Sequence, residues 1–128
     1  MPRRTPVPSN AELAILLILW REGPQTVRAV YDSLRRERDI GYTTVLKTMQ
    51  LMAAKKLVTR DESERSHVYR AAVAEKSIKR RLVSDLLDRA FDGSAAQLVM
   101  QALSHKRASA EDLKKIRQLL KENSRGAR

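Results

Sequence analysis

The sequence predicts a mainly α-helical chain: three helices, a small β-hairpin, then three further helices. Apolar residues recur at helical spacing in the first and last thirds, and that period breaks once, into two short β-prone runs near the middle. Only 4% of the 128 residues are aromatic while 42% are hydrophobic, so the core must be built from Leu, Ile, Val, Met and Ala, a set that favours helices over a sandwich or barrel.

Residues 1–8 carry three prolines and no apolar period and read as a flexible N-terminal arm. Ser9 and Glu12 have capping-box spacing: the serine accepts from a free helical N–H while the glutamate reaches back to the serine N–H. A helix from Asn10 to about Glu22 follows, with Leu13, Leu16, Leu17 and Trp20 as its apolar stripe, and Gly23-Pro24 stops it. Thr26 caps a second helix to about Arg36, carrying Val27, Val30, Tyr31 and Leu34 on one face. A third helix starts at Thr43 or Thr44, either of which stands where a cap is needed, and runs to about Lys55 with Val45, Met49 and Met52 inward. Leu57–Arg60 and His67–Arg70 are strands around the polar stretch Asp61–Ser66, a hairpin whose tip would be a wing. Three helices followed by a hairpin is the order of a winged helix-turn-helix domain, here residues 9–73.

Residues 74–128 read as three amphipathic helices. The first carries Leu82, Leu86, Leu87 and Phe91 and ends at Gly93; the second opens at Ser94 and carries Leu98, Val99 and Leu103; the third opens at Ser109-x-x-Asp112 and carries Leu113, Ile116, Leu119 and Leu120. These stripes have little core of their own to fill, so they are expected to form a helical dimerisation arm against a second copy of the chain.

A formal net charge of +11 attracts polyanions, whether nucleic acid or an anionic membrane surface. The surplus is spread over both halves and locates no binding face. With no cysteine, disulfides, thiolate zinc sites and thiol catalysis are excluded. The apolar run Leu13–Trp20 is too short to cross a bilayer, which takes about 20 residues, and the N-terminus lacks the order of a signal peptide, so a cytoplasmic protein is expected. The two histidines lie in separate segments, and neither a metal-ligand spacing nor a Gly-rich phosphate loop is present. The reading is therefore no enzyme, no metal and no cofactor.

Tyr42-Thr43-Thr44-Val45 opening the third helix and Lys55-Lys56-Leu57-Val58 at its exit resemble the penicillinase-repressor (BlaI/MecI) family, as do Glu12–Trp20, Thr26-Val27 and His67-Val68-Tyr69. The resemblance covers nearly the whole chain. It implies a homodimeric repressor of transcription on a pseudo-palindromic operator of double-stranded DNA, before β-lactamase/penicillinase or cell-envelope stress genes, with a protease or sensor pathway for derepression. Three departures bear on this. Lys56 stands where the family usually has glycine; the cysteine cluster of the copper-responsive branch is absent; and Gln101-Ala102 falls where the best-studied members are cleaved at an Asn-Phe bond, so the residues here do not carry the cleavage step.

In such a fold the third helix enters the major groove. Thr43, Thr44, Lys47 and Thr48, with Gln50 beyond them, are the expected base-facing residues, since hydroxyls and a long ammonium suit base edges. Tyr42, Arg28, the wing residues Arg65, Ser66 and His67, and Arg3 and Arg4 of the arm are the expected backbone contacts. Two other readings stay open: a winged-helix protein-interaction module, and a basic membrane-surface protein.

Overall fold

The computed structural model describes residues 7–104 and 108–126. Its elements, in chain order, are α1 (Asn10–Glu22), β1 (Gln25–Thr26), α2 (Val27–Leu34), α3 (Tyr42–Ala54), β2 (Val58–Asp61), β3 (Val68–Ala71), α4 (Glu75–Ala90), α5 (Ala95–Ser104) and α6 (Ala110–Gly126). The chain divides into two compact units, one through Val83 and one from Ser84, with α4 running across the division.

The first unit is a winged helix. Its capping box forms as the sequence predicts: the Glu12 N–H donates to Ser9 Oγ (3.2 Å) and the Ser9 N–H to Glu12 Oε1 (2.9 Å). Gly23 closes α1 at φ 83°, a left-handed conformation that favours glycine, and its N–H donates to the Leu19 carbonyl. The buried face of α1 is Ile15, Leu16, Ile18 and Leu19, whereas Leu17, expected on the apolar stripe, is 42% exposed. The expected stripe does not coincide with the buried face because α1 is apolar on nearly every side, so period alone selects no unique face.

Thr26 Oγ1 accepts from the Ala29 N–H (3.1 Å) and caps α2. Val27, Val30 and Leu34 of α2 meet Val45, Met49 and Met52 of α3 in one core with Leu57, Val58, Tyr69 and Ile78. The expected hairpin gains a third strand: β1 pairs antiparallel with β3, giving the order β1-β3-β2. Two residues after the turn at Gly23-Pro24, the second of them the α2 cap itself, are too few to show a strand period, so this pairing is a tertiary event. The register sets Arg60 opposite Tyr69 and Val58 opposite Ala71.

α3 leaves its last turn through a left-handed residue. Lys56 has φ 65°; its N–H donates to the Ala53 carbonyl (3.1 Å) and the Leu57 N–H to the Met52 carbonyl (2.9 Å). This is the Schellman pattern, made with lysine where glycine would be unstrained. α4 begins on the first unit: Ile78 is fully buried in its core, Leu82 packs against it, and Trp20 Nε1 donates to the Val73 carbonyl (3.0 Å) just before it.

In the second unit, Ser109 and Asp112 exchange two hydrogen bonds and cap α6, and Ser94 Oγ accepts from the Gln97 N–H before α5. Leu98, Val99, Ala102 and Leu103 of α5 and Ile116, Leu119 and Leu120 of α6 line an apolar cleft of about 330 Å³.

Candidate nucleic-acid interface

One groove gathers residues from three separate stretches of the chain. Thr26, Val27 and Arg28 approach it from the start of α2, Tyr42, Leu46 and Gln50 from α3, and Arg60, Arg65, Ser66, His67 and Tyr69 from the sheet and wing. It measures about 350 Å³ and is open to solvent. Five of the expected backbone contacts, Arg28, Tyr42, Arg65, Ser66 and His67, therefore converge on one surface.

Local chemistry explains the shape of that surface. Gly41, not a threonine, precedes α3 and offers no side-chain cap, so the helix begins at Tyr42 rather than at Thr43 or Thr44. The first N–H groups of α3 thus lack a side-chain acceptor, and Thr43 and Thr44 stay exposed with their hydroxyls uncommitted to capping. Lys47 is exposed one turn further on. Thr48 is half-buried and its hydroxyl donates to the Thr44 carbonyl (2.7 Å), which leaves it only acceptor capacity and its methyl. Gln50 lines the groove, and Leu51 is exposed.

Tyr31 of α2 braces the site. Its ring meets Tyr42 edge-on (centroids 5.7 Å apart), and the guanidiniums of Arg28 and Arg35 lie 5.7 and 5.5 Å from its centroid. Asp32 Oδ1 sits 3.6 Å from Nε of both Arg28 and Arg35. At the wing, Asp61 accepts from the Ser63 N–H (2.9 Å), which holds its carboxyl below the usual range and pins the turn. Tyr69, opposite it in the strand register, and Glu62, with which it pairs, hold the pKa of Arg60 above the ordinary value.

Arg60, Tyr31 and Asp32 are the residues sequence reasoning missed. The sequence marks Arg60 only as part of a strand, whereas pairing with the buried Tyr69 puts it beside the groove. Arg3 and Arg4 lie outside the described residues. Of the expected dimerisation residues, Leu82 is packed on the first unit; Leu87, Phe91, Leu98, Leu103, Leu113 and Ile116 are half-buried; Leu86, Val99, Leu119 and Leu120 are exposed. Among the described residues no helix is long and apolar enough to cross a membrane.

A core of three helices, a three-stranded wing and an exposed third helix beside a cationic groove define a winged helix-turn-helix protein. The family described as penicillinase repressor matches residues 8–122, and the chain belongs to it. It is 35% identical over 120 residues to a Mycobacterium tuberculosis protein named transcriptional regulator BlaI, covering 91% of this chain and 85% of that one. It is 19% identical over 120 residues to the methicillin resistance regulatory protein MecI of Mammaliicoccus sciuri, covering 94% of this chain and 98% of that one. The family is one of transcriptional regulators, not of enzymes.

Proposed function

We propose that the protein represses transcription by occupying double-stranded operator DNA as a homodimer. The observation that carries the reading is the convergence of Arg28, Tyr42, Arg60, Arg65, Ser66 and His67 on one groove beside the exposed face of α3. Cations and hydroxyls at that spacing grip phosphates, while Thr43, Thr44 and Lys47 reach base edges in the adjoining major groove. The uncapped start of α3 adds backbone donors of the kind that hold a phosphate. The apolar cleft between α5 and α6, with Leu119 and Leu120 57% and 62% exposed, supports an arm that closes on a second copy. A two-fold dimer requires two half-sites about 10 bp apart or a multiple of it. We place residues 9–73 as the DNA-binding part and 74–128 as the dimerisation part, with the start of α4 also closing the core of the first unit through Ile78 and Leu82, and we assign penicillinase or envelope-stress genes as targets on the family resemblance.

In vitro selection from a random duplex library, followed by footprinting, tests this. An enriched inverted repeat with protection of both halves is expected. A library that yields no enriched sequence, or full affinity for one isolated half-site, overturns it.

A further inference from the structure

Two of the groove's arginines already hold a carboxylate. Arg28 faces Asp32 Oδ1 at 3.6 Å, and Arg60 pairs with Glu62. Both arginines line the groove with Tyr42, Gln50 and Arg65, and neither carboxylate is in its lining. Among the described residues the buried Asp32 oxygen has no hydrogen-bond donor, and the two arginines at 3.6 Å offset its charge. At that distance a guanidinium is attracted without being locked in a hydrogen bond. When Arg28 turns to a phosphate, Arg35 remains on Asp32, so the carboxylate is not stranded. Glu62, 55% exposed on the wing, is simply released to water.

We infer that Asp32 and Glu62 are built-in competitors of the DNA phosphates, which set the affinity and salt dependence of the interface by neutralising Arg28 and Arg60 in the free protein. The inference rests on the DNA reading above. Each arginine must exchange an intramolecular carboxylate for a phosphate, so binding is weaker than the count of groove cations implies. The arrangement restrains an otherwise strongly basic chain on bulk DNA, where attraction is almost wholly electrostatic.

The test is a fluorescence-anisotropy titration of a random-sequence duplex of about 30 bp at salt concentrations between about 50 and 200 mM, with the full chain. Asp32→Asn and Glu62→Gln should each tighten binding about two- to fivefold and steepen the slope of log K against log salt by up to about 0.9. Glu22→Gln makes the same charge change at an exposed pair with Arg21, which lines a different groove between α1 and α2, and should leave both quantities nearly unchanged. Glu62 lies on the exposed wing, so its replacement tests the idea even where Asp32→Asn perturbs α2. Equal gains in all three variants would show a mere net-charge effect and overturn the inference, as would unchanged or weaker binding by Glu62→Gln. A wild-type chain that binds no duplex at any salt would instead overturn the DNA reading itself.

Discussion

Lys55 Nζ lies 2.8 Å from Glu12 Oε2, joining the end of α3 to the first turn of α1 across 43 residues of sequence. The two partners are unlike: Glu12 is buried, its side chain 5% exposed, and the Lys55 side chain is 52% exposed. Burial pushes the Glu12 carboxyl up, but hydrogen bonds from Lys55 and Ser9 outweigh it and leave the pKa below the ordinary value.

That asymmetry predicts unequal costs. Lys55→Met strands a buried carboxylate and should destabilise by about 2–3 kcal/mol. Glu12→Gln leaves a lysine free to hydrate, and glutamine still serves the capping box, so its cost should be about 1 kcal/mol. Urea unfolding with matched m-values measures both. A larger loss in Glu12→Gln would refute the argument. The sign with pH follows from the lowered pKa: the contribution of Glu12 is complete above its unfolded value and is lost as pH falls through the folded one. The midpoint gap between wild type and Glu12→Gln should therefore close on acidification below about pH 4.5 and stay constant near neutrality.

Lys56→Gly should stabilise the protein by about 1 kcal/mol, because a left-handed φ strains lysine and not glycine while the two Schellman hydrogen bonds need only backbone. Thermal unfolding would show a midpoint higher by a few degrees. A lower midpoint would mean that the lysine side chain contributes more than its backbone costs.

Lys47 and Arg65 separate reading from gripping. Lys47→Ala should lose about 1–3 kcal/mol on a selected operator and relax preference at one base pair. Arg65→Ala, at the edge of the groove, should weaken selected and random duplexes together and reduce the salt slope by about one phosphate contact. If Lys47→Ala weakened every sequence equally, specificity would rest on Thr43, Thr44 and DNA shape.

Leu119→Glu combined with Leu120→Glu should convert the proposed dimer to a monomer in analytical ultracentrifugation without loss of helical circular dichroism. Both side chains are more than half exposed on α6, so the charges are tolerated in one copy and excluded only between two. A double variant that still sedimented as a dimer would place the contact elsewhere.

What the sequence determined by itself is whatever depends on neighbours a few residues apart. The capping boxes at Ser9 and Ser109, the stop at Gly23 and the caps at Thr26 and Ser94 are satisfied within four residues, so spacing alone reveals them. The winged-helix order was legible for the same reason. Other features were settled only when distant segments met. Glu12 looked like a cap and nothing more until α3 brought Lys55 to it. Thr43 and Thr44 were equal candidates for the cap position, which Gly41 occupies with no side chain to cap the helix. Arg60 faces the groove because pairing with β3 fixes its register, and β1 exists as a strand only because β3 passes beside it. Hydrogen bonds within a helical turn are encoded by spacing, whereas strand register and ion pairs between helices are decided by the packing of the whole core.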